Sequence, residues 1–133
     1  MSIKVKNSQL NNETIQAINN LIELDINASV AFKLTRIIKE VSSIVDDKVK
    51  MEQKLLDKWV ERDDNGNPVP GKDEKGNVLK DSVNLTDPKA FTNEMNLLME
   101  TENDIPFEKI NFEDLNLKTA KVKDLMKIDF LFN

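Results

Sequence analysis

Between Ser29 and Glu61 the chain runs without a glycine or a proline. Within that stretch Leu34, Ile37, Val41, Ile44, Met51 and Leu55 recur at three- and four-residue steps, apart from one gap where Lys48 interrupts the seam. This is the spacing that gathers apolar side chains on one face of an α-helix. It predicts one long helix over about 29–61, roughly 48 Å long at 1.5 Å per residue. A compact domain of this size has a radius of gyration near ~14 Å. Such a helix therefore bends, breaks, or extends one end toward a partner. Three heptads of stripe also permit a coiled-coil seam without compelling one. The simplest expectation is burial against the chain's other helices, with Val41 and Ile44 at the centre of the stripe. Trp59 is the single tryptophan and stands beside Leu55, Leu56 and Val60. A core position is expected of it, with an interface anchor as the alternative.

The flanking segments read as shorter elements. Ile3 and Val5 alternate with Lys4 and Lys6, the period-2 signature of a strand. Ser8, Asn11 and Asn12 offer N-caps for a helix over about 12–24, with Ile15, Ile18, Leu21 and Ile22 on its apolar face. Thr86 or Asp87 caps a further helix whose first turn holds Pro88. Phe91, Met95, Leu98 and Met99 form its apolar side, and Met95 and Met99 are expected in the core. Ile105 with Phe107, then Ile110 with Phe112, suggest one or two short strands, and Pro106 places them at a sheet edge. Thr119 is a candidate cap for a last helix carrying Val122, Leu125 and Met126. The closing IDFLFN is an apolar tail that must dock somewhere.

Residues 62–83 hold all three glycines and two of the four prolines. DDNGNPV at 63–69 and DEKGNVL at 73–79 form a weak internal repeat with a glycine in turn position and an asparagine after it. One or two hairpins, or an exposed functional loop, are expected there. The fold class is therefore α+β and mainly helical: one long helix packed with two or three shorter ones, plus a small antiparallel sheet or hairpin arm. With 133 residues the chain is read as a single domain, 1–133, within which 62–83 is an exposed arm.

Composition narrows the chemistry. There is no cysteine and no histidine, which removes disulfides, thiolate and imidazole metal sites, and nucleophile–imidazole pairs. No glycine-rich phosphate loop is present. The N-terminal MSIKVKNSQL lacks the apolar stretch of a signal peptide, and no run reaches the ~18 apolar residues of a membrane span. The expected location is the cytoplasm, or a larger particle that leaves it. Net charge is −5, and no segment is strongly basic, so a phosphate-binding stripe for nucleic acid is missing.

Carboxylates are what remain. Asp46 with Asp47, and Asp63 with Asp64, are adjacent pairs that do not converge unaided on a helix. Glu61, Asp63, Asn65 and Gly66 fit part of a calcium loop. However, its first position should be Asp, and its twelfth, Lys72 here, should be Glu, so the loop is rejected. In 100–116, Glu100, Glu102, Asp104, Glu108, Glu113 and Asp114 face Lys109 alone. That acidic stretch is either a solvated face or an edge that imitates a nucleic acid toward a basic partner. Together with Asp63, Asp64, Asn65 and Asn67 in the arm, these acids are the candidate protein-binding residues. No catalytic residue, metal ligand or cofactor is expected.

The order IKVKNSQL, AFKLTRIIKEV, LLDKWVERDDNGNPV, a second GNV turn, FTNEMNLLMETE and DIPFEKINFEDL resembles a family of small proteins from phages and prophages of Gram-positive bacteria, a domain of unknown function. The likeness covers most of the chain and rests on the order of elements, not on a catalytic signature, so it carries over no functional residue. It implies a non-enzymatic protein that binds other proteins, as a virion or assembly accessory in the bacterial cytoplasm or the virion, with homo-oligomers as an option. An alternative is an inhibitor of a host enzyme or defence complex, such as an anti-CRISPR. A carboxylate- and Mg-dependent hydrolase is the third reading.

Overall fold

The computed structural model describes residues 2–116 and 121–133. Thr119, the candidate cap of the last helix, lies outside them. The chain is α+β and mainly helical. It divides into two compact units, Met1–Lys48 with Met99–Asn133, and Val49–Leu98.

In the first unit, strand β1 (Ile3–Lys6) pairs antiparallel with β4 (Glu102–Ile105), setting Ile3 opposite Ile105 and Lys6 opposite Glu102. Alternation does the sorting: Ile3, Val5 and Ile105 are buried while Lys4, Lys6, Glu102 and Asp104 are exposed. Helix α1 (Asn12–Ile22) starts at Asn11, whose side chain accepts from Thr14 N while Thr14 Oγ1 accepts from Asn11 N. That reciprocal cap satisfies two of the donors a helix start leaves open. Thr14 is itself buried, and its hydroxyl donates to Gln9 O at 3.0 Å. Ala17, Ile18 and Leu21 face inward.

Helix α2 (Ala28–Trp59) is unbroken over 32 residues. Its buried stripe is Leu34, Ile37, Val41 and Val45. Ile44, expected in that stripe, is only half-buried and packs at the edge of the core. A 3.6-residue turn drifts against a strict 3–4 alternation, so after Val41 the fourth residue onward faces the core better than the third. One turn further on stands Lys48, whose Nζ donates to Leu10 O at 2.6 Å. The unit boundary falls at that residue.

The C-terminal part completes this core. Ile110 and Phe112 do not form a strand. Ile110 makes an isolated parallel bridge to Phe132, and Phe112–Leu115 is a 3-10 turn ending at Asn116 in the left-handed region, φ 49°. Pro106, which cannot donate to a ladder, directly follows the last residue of β4. Helix α4 (Val122–Lys127) leaves Val122 and Met126 exposed. The apolar tail docks on its own core: Ile128, Phe130 and Leu131 are buried.

The second unit holds the distal turns of α2, strands β2 (Pro70–Lys72) and β3 (Val78–Val83), and helix α3 (Pro88–Glu100) as far as Leu98. Asp87 Oδ1 caps α3 by accepting from Ala90 N at 3.1 Å, with Pro88 in its first turn. β2 and β3 pair antiparallel, with a bulge that contains Asp81 at φ 60°. The arm at 62–83 is thus a hairpin, and the segment before it joins in: Arg62 bridges Pro68, and Val60 bridges Leu85.

Candidate functional site

The internal repeat is a repeat in space as well as in letters. In the first turn Asp63 N donates to Asn67 O at 2.9 Å, and Gly66 N to Asp63 O at 2.9 Å. Asp63 Oδ1 accepts from Asn65 N at 2.9 Å and Asn67 N at 3.0 Å. In the second turn Asp73 N donates to Asn77 O at 2.9 Å, and Gly76 N to Asp73 O at 3.0 Å. Asp73 Oδ1 accepts from Lys75 N at 2.9 Å and Asn77 N at 2.8 Å. Gly66 and Gly76 take φ of 81° and 83°, which only glycine adopts without strain. The backbone donors of Asn77 and Lys75 hold the Asp73 carboxyl below its usual value, Asn77 contributing most. Of the candidate binding residues in the arm, Asp63 therefore closes the turn, and Asn67 contributes backbone groups to it. Asp64 and Asn65 are exposed.

The second cluster in this unit joins α2 to α3. Glu94 accepts from Lys58 Nζ through Oε1 and from Trp59 Nε1 through Oε2, both at 2.7 Å. Lys58 Nζ also stands 5.0 Å from the Trp59 ring centre. The Lys58 bond, then the Trp59 bond, hold the Glu94 carboxyl below its ordinary range. Trp59, expected in a core, is half-buried and held by its polar edge. Trp59 O accepts from Thr86 N at 2.7 Å, and Asn84 Nδ2 donates to the Glu61 carboxylate.

What this unit lacks is a dry interior. Among its described hydrophobic side chains only Val60 is buried, whereas sixteen in the other unit are. Phe91, Met95 and Leu98 are half-buried, and α3 buries none of its residues; Met99, expected in the core, is half-buried too. Val49, Met51, Val78, Leu79, Val83 and Leu97 are exposed, Val78 at 65%. Met51 was expected in the long seam, and at 43% it lies off it. The apolar stripe of α2 nevertheless keeps its phase past Lys48, through Leu55, Leu56 and Trp59, all half-buried.

The acidic stretch does not form one edge. Its first part lies at the end of α3 and on β4, beside the lysines of β1. Glu100 pairs with Lys6 at 2.7 Å, Glu102 with Lys4 at 3.9 Å, and Asp104 Oδ1 accepts from Ser2 Oγ at 3.3 Å. The Glu100 hydrogen bond and charge raise the pKa of Lys6. Two lysines thus stand against three acids on that face, so its field is largely cancelled at short range. Glu113 and Asp114 lie within the 3-10 turn instead, and Glu108 and Asp114 border a hollow shared with Lys33 and Lys109. Among the described residues no three Asp or Glu side chains converge as a metal-holding group, and no helix is long and apolar enough to cross a membrane.

Sequence patterning found the turns and the acids but not the half-covered apolar surface of Val49–Leu98. The signal for it was Lys48, placed in the middle of an otherwise apolar stripe. Comparison with protein families, with curated proteins and with solved structures finds no match to this chain.

Proposed function

We propose that this chain works by stoichiometric protein binding, and that Val49–Leu98 supplies the contact surface. The observation that carries the reading is the mismatch in that unit between the apolar side chains it holds and the one it buries. Exposed apolar side chains gathered in one unit cost solubility unless a partner covers them. Aromatic and methionine side chains such as Trp59, Phe91, Met51 and Met95 are the types enriched at interface centres. The setting proposed is a phage or prophage virion or assembly accessory, in the cytoplasm of the host or in the virion, in keeping with the resemblance in element order. Inhibition of a host enzyme or defence complex is the second reading. The exposed Glu108, Glu113 and Asp114, which do not pair with the β1 lysines, favour it.

The test is capture. A tagged chain recovered from infected or lysogenic cells should bring down a partner in fixed molar ratio, with the yield unaffected by EDTA. Phage structural proteins in that complex support the first setting, and a nuclease or other defence component supports the second. The double variant Met51→Asp with Val78→Asp should lose the partner while melting like the parent. A partner affected in full by far substoichiometric amounts of the chain, with EDTA abolishing the effect, would overturn the reading in favour of hydrolysis.

A further inference from the structure

A hollow of about 330 Å³ lies where the last turn of α1 meets α4, within the range of small-molecule sites. Its floor is apolar: Leu24 and Leu125, both half-buried, line it above the buried Leu21 and Ile128. Its rim carries both signs of charge, with Glu23 and Asp124 as acids and Lys121 as the base. Asn20 Nδ2 donates to Asp124 Oδ2 at 3.3 Å, which fixes the carboxylate and leaves Oδ1 for another donor.

Elsewhere in this unit some opposite charges that share a face close on each other, as Lys6 does on Glu100 and Lys127 on Glu13 at 3.2 Å. Around the hollow they do not. Among the described residues, Lys121, Glu23 and Asp124 make no ion pair with one another or with any other residue. The gap they bracket suits a molecule that brings its own cation and anion together with an apolar body.

We propose that this hollow binds a free α-amino acid with an aliphatic side chain. Lys121 takes the carboxylate, Asp124 and Glu23 take the ammonium, and Leu24 and Leu125 cover the side chain. Neither charge of the ligand is then left without a partner as the aliphatic part leaves water. This site is separate from the protein-binding surface proposed above, and either stands if the other fails.

The probe is L-leucine, titrated into the full chain and followed by amide chemical shifts. Saturable shifts at Leu24, Asp124 and Leu125 are expected. 3-Methylbutylamine, which lacks the carboxylate, and 4-methylpentanoate, which lacks the ammonium, should each bind about ten- to hundredfold more weakly, the loss of one charge-assisted hydrogen bond. Asp124→Asn should show a comparable loss with an unchanged melting curve. Leucine that gives no saturable shift at its highest soluble concentration would overturn the proposal. So would equal affinity for the amine, or undiminished binding by Asp124→Asn.

Discussion

The two units solve the same problem by different means. Met1–Lys48 with Met99–Asn133 excludes water from sixteen of its described hydrophobic side chains. Val49–Leu98 excludes it from one of its described hydrophobic side chains, Val60, and is tied by hydrogen bonds instead: twin aspartate-closed turns, the Glu94 clamp, and the strand bridges from Val60 and Arg62. Burial of an aliphatic side chain contributes about 1.5–3 kcal/mol, and a hydrogen bond open to water about 0.5–1.5 kcal/mol net. The first unit is therefore built for stability, and the second keeps its shape while its apolar surface stays available.

The sharpest way to break this comparison uses α2, which contributes to both units. Val41→Asp places an unpaired carboxylate at a fully buried position and should cost about 3–5 kcal/mol. Met51→Asp, ten positions on and exposed, should change stability by no more than about 0.5 kcal/mol. Chemical denaturation of both variants decides. Equal losses would mean that the second unit is as dry as the first.

A smaller effect is expected inside the hairpin. Gly71 is buried, and a Cβ there would meet the Ser82 hydroxyl, with Ser82 Cβ at 3.2 Å and Val83 O at 3.5 Å. Gly71→Ala should destabilise the arm by about 1–3 kcal/mol, the usual range for overpacking. Amide exchange should accelerate at Lys72 and Val83 and stay slow at Val41 and Ile105. Acceleration everywhere would show that the two units unfold as one.

The least effect belongs to pH. Lys58 and Trp59 hold the Glu94 carboxyl below its ordinary 4.5. A depressed acid contributes stability that is fully present above its unfolded value and is lost as pH falls through the folded one. Trp59 fluorescence should therefore titrate with a midpoint under 4.5, and Glu94→Gln should abolish that step. A midpoint at or above the ordinary value would mean that the clamp is not formed in solution.

Legibility in the sequence tracks how local each cause is. The long helix, the Asn11 and Asp87 caps, the alternation of β1 and the repeat turns all depend on residues within one or two turns of one another, and all could be read directly. Ile110 and Phe112 misled because two apolar residues at period 2 also fit a 3-10 turn, and the choice was made by a distant strand-like contact with Phe132. Trp59, Met95 and Met99 misled for another reason. Hydrophobicity says that a side chain gains from burial, but whether the chain has enough mass to cover it depends on tertiary packing. The acidic stretch read as a block because charge was counted along the chain, whereas the β1 lysines that answer it lie almost a hundred residues away.

The twin turns have one further consequence. Each closes on its own aspartate and glycine, so the two residues between them, Asp64 with Asn65 and Glu74 with Lys75, keep exposed side chains that the loop geometry does not require. The frame is fixed and its contents are interchangeable. One copy displays an acid and an amide, the other an acid and a base, on the same scaffold. Four surface side chains can therefore be exchanged without disturbing the hydrogen bonds that close either turn.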